Sequence, residues 1–348
     1  MTRIKIGKKP IGHGHPCYVI AEIGSNFDGK LSKAKRLIKL AKECGADCAK
    51  FQTFKTEKII SKRGFEKKST FQSKWKKPVW DVYKEAEFPR QWISELSKYS
   101  KKIGIDFFST PYDFEAVDLL EKFKVPAYKI GSGDITFLEL LKYVARKNKP
   151  ILLATGASTL QEVKNAISTI KSCKNNKIIL LQSITQYPSP IHDANIRAMI
   201  ELKNKFQCDV GYSDHTPGII VPITSVALGA CIIEKHFTDN KKNQGPDHPH
   251  SLNPKEFSEM VSQIRTVELV LGNPTKKVVK SEKETRIIQR RSIFTTKSIQ
   301  KGEMFTKNNV ECLRPFIGIP ASDFSKILRK HAKRNLEPFT PILKSDFY

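Results

Sequence analysis

The chain has 348 residues, 39% of them hydrophobic and 28% charged, which excludes a disordered or fibrous protein and leaves room for one large domain plus a small one. The N-terminal stretch MTRIKIGKKPIGHGHP lacks the apolar run of a signal peptide, and no segment approaches the roughly 18 apolar residues of a spanning helix. A cytoplasmic protein with no membrane partner is therefore expected.

The net charge of +26 invites a nucleic-acid reading. Residues 282–348, however, carry 14 basic against 7 acidic side chains, so the charge follows chain length and forms no tail or stripe. The expectation is a solvated cationic surface that attracts small anions, with no nucleic-acid partner. Seven cysteines, odd in number and irregular in spacing, fit a reducing compartment. Cys44 and Cys48 have no second pair to complete a zinc site.

Up to about residue 272, short apolar runs alternate with segments of helical period. The runs are 19–24 (VIAEIG), 46–53 (ADCAKFQT), 105–112 (IDFFSTPY), 126–134 (PAYKIGSGD), 150–157 (PILLATGA), 178–185 (IILLQSIT), 208–215 (CDVGYSDH) and 230–237 (ACIIEKHF). Caps suggest themselves at Ser158, ahead of Leu160-Gln161-Glu162, and at Asn253, ahead of Pro254. Eight strand-helix units predict an α/β protein with a (β/α)8 TIM barrel over 1–272. An open doubly wound sheet is the alternative, but no GxGxxG follows the first strand. A longer insertion at 54–88, carrying Phe71, Trp75, Trp80 and Tyr83, is a candidate lid.

Every predicted strand turns polar at its carboxyl end, the face on which barrels build their active sites. In order these ends present Glu22; Lys50 and Gln52; Ser109 and Thr110; Lys129, Ser132 and Asp134; Thr155; Thr185 and Tyr187; Ser213, Asp214 and His215; Glu234 and His236. Ordinary strand-to-loop polarity accounts for a Ser or Thr. It does not account for two lysines and two histidines leaving apolar strands. Lys50 and Lys129, with Ser132 and Ser213, would cradle a phosphate and a carboxylate. His215 and His236, one βα unit apart, would hold a divalent metal that polarises a carbonyl or orients a water. Glu22, Asp134 and Asp247 supply carboxylates for hydroxyls or proton transfer. This set suggests condensation of phosphoenolpyruvate with a sugar aldehyde.

Beyond 272 a charged linker (273–284) leads to a region at 285–348 with short strand-like runs and turn residues. At that size it is marginal alone.

The ordered stretches AEIGSN (21–26), KFQT (50–53), FSTPY (108–112), AYKIGSGD (127–134), YPSP (187–190), GYSDHT (211–216), EKHFT (234–238) and GPDHPHSLNP (245–254) resemble the N-acetylneuraminate (sialic acid) synthase family. RRSI (290–293), KGE (301–303) and LRP (313–315) extend the resemblance to that family's C-terminal antifreeze-like (SAF, β-clip) domain, so it spans nearly the whole chain. The resemblance implies that Lys50, Gln52, Thr110, Lys129, Ser132, Thr185 and Ser213 contact phosphoenolpyruvate. It implies Mn²⁺ or Mg²⁺ on His215 and His236, and Glu22, Asp134 and His215 at the reacting centre. Tyr187 and Asp247 would contact an acylamino sugar. Arg314 would reach the sugar in the other subunit of a domain-swapped homodimer.

The sugar expected is of the N-acylmannosamine type, giving N-acetylneuraminate or a relative. A 2,4-diacetamido-trideoxyhexose, as for legionaminate or pseudaminate, is the alternative, and another phosphoenolpyruvate-condensing barrel of the 3-deoxy-octulosonate phosphate type is a further one. Four positions depart from the family pattern: Phe27 for a frequent His, Ala154 for a frequent Ser, Asp134 for Glu in some members, and Thr185 for Asn or Ser. They bear on the sugar more than on the reaction.

Overall fold

The computed structural model describes residues 4–67, 72 and 75–348. Two compact units make up the chain, Met1–Gly272 and Asn273–Tyr348.

The first unit opens with a hairpin of β1 (Ile4–Ile6) and β2 (Lys9–Ile11). Gly7 turns it at φ +57°, where a Cβ would sit 2.9 Å from a carboxylate oxygen of Asp106. Only glycine lets the turn come that close. Ile4, Ile6 and Ile11 are buried in the main core beside it.

Eight parallel strands follow: β3 (Tyr18–Gly24), β4 (Cys48–Thr53), β5 (Asp106–Pro111), β6 (Tyr128–Ile130), β7 (Ile151–Ala154), β8 (Ile178–Ser183), β9 (Asp209–Asp214) and β10 (Ile232–His236). Hydrogen bonding runs in the order β5-β4-β3-β10-β9-β8-β7-β6. β5 and β6 lie side by side without a ladder between them, so the barrel is nearly closed. The open doubly wound sheet is thereby ruled out. The strands are buried almost throughout, as parallel strands with covered faces must be, and this is why their sequences run apolar without alternation.

Helices α1 (Leu31–Glu43), α2 (Thr56–Ile59), α3 (Val79–Ala86), α4 (Ile93–Ile103), α5 (Phe114–Lys122), α6 (Leu138–Ala145), α7 (Leu160–Ser172), α8 (Ala198–Phe206), α9 (Ile220–Ala227) and α10 (Pro254–Leu271) alternate with the strands. The cap of α7 falls on Thr159, one residue beyond the expected Ser158. Glu162 accepts the Thr159 backbone N–H at 2.7 Å while the Thr159 hydroxyl accepts from Glu162 N, so both ends of a capping box are satisfied there. Asn253 caps α10 in the same way with Glu256, as its place before Pro254 suggests.

Phe27 is only 1% exposed. It packs edge-on against Phe88 and Trp92, with ring centroids 5.7 Å apart in both pairs, and next to Phe51. The position is thus filled by an apolar ring packed among aromatic rings.

In the insertion between β4 and α4, Glu87 ties α2 down by accepting the Thr56 N–H at 2.8 Å. Tyr83 contacts Phe54 and Trp75, and Phe54 contacts Tyr112 at the end of β5, which forms an aromatic wall. Trp80 lies under the Lys62 ammonium. Phe71 lies outside the described residues.

The second unit contains α11 (Lys283–Gln289), an antiparallel pair β11 (Ser292–Thr295) and β12 (Val310–Leu313), and α12 (Phe324–Ile327). Isolated bridges such as Ile299 to Leu336 and Phe294 to Pro341 fold the remaining turns around Ile293, Phe305, Val310, Ile319 and Ile342. Among the described residues, no helix is long and apolar enough to cross a membrane.

Candidate active site

Alternation along the barrel strands decides which side chains point inward. Glu22 pairs in register with Lys50, Glu234 with Ser213, and Lys235 with Asp214. Glu234 and Ser213 meet through a 3.0 Å hydrogen bond, whereas Lys235 and Asp214, one residue along, form their own fully buried pair at 2.5 Å. The SDH and EKH triplets are thus two-sided. Their middle residues lock β9 to β10, and their outer residues share one face.

On that face four buried charges form a chain. Lys50 pairs with Glu22 and lies 3.7 Å from Glu234, and Lys129 donates to Glu234 at 2.6 Å. Lys50 also donates to Thr110 at 3.2 Å, and Gln52 to Glu22 at 3.2 Å. Two cations and two anions buried together are tolerable only because each faces an opposite charge. Burial raises the Glu22 carboxyl to about 7, with Lys50 opposing the rise and Glu234 adding to it. Burial acts on Glu234 too, but Lys129 and Lys50 outweigh it and hold that carboxyl below its ordinary range.

Next to this chain, hydroxyls converge around Gly156. Its backbone N–H donates to the Ser132 hydroxyl at 3.0 Å. A Cβ at Gly156 would lie 2.8 Å from the Ser132 oxygen and 2.9 Å from the Thr185 hydroxyl. Asp134, just beyond, makes no side-chain bond to the described residues, and burial raises its carboxyl to about 6.

The histidine side is built differently. His215 donates from Nδ1 to the Ile184 carbonyl at 2.8 Å, which leaves Nε2 as its lone-pair nitrogen. Its ring lies 5.6 Å from that of His236 and 4.2 Å from Tyr187. His250 is 4.7 Å from His236, ring to ring. Burial lowers His215 to about 3, and lowers His236 and His250 as well, so all three are neutral near pH 7 and able to donate lone pairs. Ligand atoms of His236, Asp247 and His250 all lie within 4.8 Å of one another. Nδ1 of His236 and Nε2 of His250 are buried with no hydrogen-bond partner. These donors fit a divalent cation.

The loop carrying Asp247 and His250 is strapped to the first barrel strand. Asp247 Oδ2 accepts from Ser25 N at 3.0 Å and Ser25 Oγ at 2.9 Å, Asn26 donates to Ser251 at 2.9 Å, and His248 bridges Asp28 at 2.7 Å and Thr238 at 2.6 Å. Gly24, at φ +53°, must lack a side chain because a Cβ would collide with Asp247. The stretches 21–26 and 245–251, far apart in sequence, are one structural unit.

The barrel unit thus gathers Glu22, Lys50, Gln52, Thr110, Lys129, Ser132, Asp134, Thr185, Tyr187, Ser213, His215, His236 and Asp247 at the carboxyl ends of its strands or in the loops that follow. Arg314 belongs to the second unit, exposed directly after β12. Two further members of the site have no role in the sequence reading. Glu234 is visible there as a strand-end acid, and its alternation with His236 is the signal that places it on the same face. His250 sits in the HPH run, where nothing in the spacing separates it from a loop residue.

A nearly closed parallel barrel with this many charged groups buried at its carboxyl mouth defines an enzyme-type barrel. The chain belongs to the NeuB family, whose model matches residues 37–276, and a SAF domain matches residues 290–347. It is 42% identical to N,N'-diacetyllegionaminic acid synthase of Campylobacter jejuni, over 91% of this chain and 96% of that protein. It is 37% identical to pseudaminic acid synthase of Helicobacter pylori, over 95% and 98%. The crystal structure of N-acetylneuraminic acid (sialic acid) synthetase from Leptospira borgpetersenii in complex with citrate matches with a TM-score of 0.74 at 33% identity, covering 81% of this chain and 94% of that one.

Proposed function

We propose that this protein condenses phosphoenolpyruvate with an acylamino hexose aldehyde, releasing phosphate and a nine-carbon 2-keto-3-deoxy sugar acid. The observation that carries the reading is the buried Glu22–Lys50–Glu234–Lys129 chain beside the Ser132–Thr185 hydroxyls. Family relatives that make sialic, legionaminic and pseudaminic acids support it.

In this reading Lys129, Lys50, Ser132, Ser213, Thr110, Thr185 and Gln52 hold the phosphate and carboxylate. They place C3 of phosphoenolpyruvate against the aldehyde carbon. Tyr187 and Asp247 orient the sugar. Asp134, whose carboxyl sits at about 6, holds or gives up a proton near the reacting carbons, and Glu22 is the second such group. Carbon–carbon bond formation is followed by water addition at C2 and loss of phosphate by C–O cleavage. A divalent ion at the histidine side, Mn²⁺ or Mg²⁺, would supply Lewis-acid polarisation of the aldehyde oxygen, with His215 and His236 among the groups that hold it.

We assign the reaction to the cytoplasm, and to a homodimer in which Arg314 of the SAF domain serves the partner's barrel. Mixing Arg314→Ala and His215→Ala proteins should then restore activity after subunit exchange. A mixture no more active than its components rejects the swap.

The function is tested by incubating the protein with Mn²⁺, phosphoenolpyruvate and a panel of 2-acetamido and 2,4-diacetamido hexoses while following phosphate release. Turnover with one of them is expected. Its absence with all of them rejects the reading, and the sugar that works decides between the N-acylmannosamine and diacetamido alternatives.

A further inference from the structure

Ser183 has no part in the roles just assigned, although it closes β8 at the mouth of the barrel. Its register partner is Ser213, and registered partners in a parallel ladder face the same side of the sheet. Ser213 reaches Glu234 in the charged chain, so Ser183 points to the barrel interior with it. The residue is 2% exposed, and its Oγ is buried with no hydrogen-bond partner among the described residues. The hydroxyl of Thr185, two residues on, is orphaned in the same way. A polar atom left so costs free energy until a ligand or a water satisfies it.

Gly156 ties the two orphans to one place. A Cβ there would lie 2.9 Å from the Thr185 hydroxyl, 2.8 Å from Ser132 Oγ and 3.0 Å from the Ser183 carbonyl. On the β9 side of Ser183, Ser213 is bonded to the carboxylate that holds Lys129. Ser183 thus stands between a cluster of hydroxyls and a buried ammonium. The inward position on β7 is Ala154, whose register partner Leu181 lies two residues before Ser183 on the same face. At this level β7 brings no hydroxyl of its own.

We propose that Ser183 donates its hydroxyl proton to a phosphate oxygen of phosphoenolpyruvate and helps to set the affinity for that group. This rests on the phosphoenolpyruvate reading of the mouth and deepens it. A tetrahedral phosphate carries three terminal oxygens and accepts from donors arriving from several directions, whereas a planar carboxylate offers two. Hydroxyls from β8, from the loop after it and from the turn after β6 surround a tetrahedral anion better than a flat one.

Binding is measured by calorimetry on the full chain without any sugar, directly for phosphoenolpyruvate and by displacement for inorganic phosphate and pyruvate. Ser183→Ala should weaken phosphoenolpyruvate and inorganic phosphate at least about tenfold, the usual loss for a hydrogen bond to a charged group. Pyruvate, which has the carboxylate alone, should change less than about twofold. Ser183→Thr keeps the hydroxyl on a side chain suited to a strand and should stay within about threefold of wild type. Ligand-free Ser183→Ala protein should resist denaturant at least as well as the wild type, because the lost hydroxyl leaves no partner behind. A merely structural serine would show the reverse, with lower stability and an equal loss for all three ligands. That result overturns the proposal, as does an unchanged phosphate affinity in folded Ser183→Ala protein, or a wild type that binds neither phosphoenolpyruvate nor phosphate. No outcome depends on turnover. Phosphate release can fail with every sugar while Ser183-dependent binding holds, and turnover can succeed while Ser183→Ala binds as the wild type does.

Discussion

The two sides of the barrel mouth solve the burial of polar groups in opposite ways. On the lysine side, Glu22, Lys50, Glu234 and Lys129 balance one another's charges, with Gln52, Thr110 and Ser213 adding hydrogen bonds, although Oε2 of both glutamates accepts none. On the histidine side, His236 and His250 leave ring nitrogens unpartnered, and their neutral rings turn toward each other and toward Asp247. One side balances full charges against each other; the other gathers neutral rings with free lone pairs. A cluster of paired buried charges sets the local electrostatics and is costly to break, whereas neutral groups without partners can be removed at lower cost.

The contrast breaks most visibly in stability. Glu234→Ala removes the carboxylate shared by two buried lysines and should cost about 3–5 kcal/mol in chemical denaturation, the usual penalty for stranding a buried charge. His250→Ala, in metal-free protein, should cost less than about 1.5 kcal/mol, because its ring nitrogen has no partner to strand. Equal losses would mean that the two sides do not differ as described.

A second effect is on substrate binding. Lys129→Met should weaken phosphoenolpyruvate roughly a hundredfold while leaving sugar affinity within about twofold, since only the former carries full negative charges. Parallel loss for both ligands, measured by calorimetry, would indicate a collapsed barrel.

A third effect concerns the protonation of Glu22. Its carboxyl sits at about 7, so near pH 7.5 it is mostly ionised but easily protonated. An anion arriving beside it favours the neutral form and pushes its pKa higher. Phosphoenolpyruvate binding should therefore take up a fraction of a proton, seen as a dependence of binding heat on buffer ionisation enthalpy. Proton release on binding would contradict the assignment. The smallest effect is expected from Gly156→Ala, whose Cβ would press on the Ser132 and Thr185 hydroxyls. Phosphoenolpyruvate affinity should fall about tenfold with the fold retained.

Much of this is legible in the amino-acid order alone. The eight apolar runs and their polar ends point to the barrel and to the face of the site, because a parallel strand buried on both sides leaves charge no place except its end. Lys50, Lys129, His215 and His236 stand out for that reason. Pairing is not legible. That Glu234 on β10 balances both Lys50 on β4 and Lys129 on β6 depends on the strands curling into a barrel, and that Asp247 and His250 reach His236 depends on a loop folded back across about 220 residues onto Ser25, Asn26 and Asp28. The α7 cap lies one residue beyond its expected place because Glu162 completes a capping box with Thr159.

The condensation itself is tested most directly with phosphoenolpyruvate carrying ¹⁸O in its C2–O–P bridge, incubated with Mn²⁺ and the sugar that turns over. The label should leave in inorganic phosphate, with the unlabelled 2-keto oxygen of the nine-carbon product drawn from water. Label retained in the sugar acid, or phosphate released without a carbon–carbon bonded product, would contradict it.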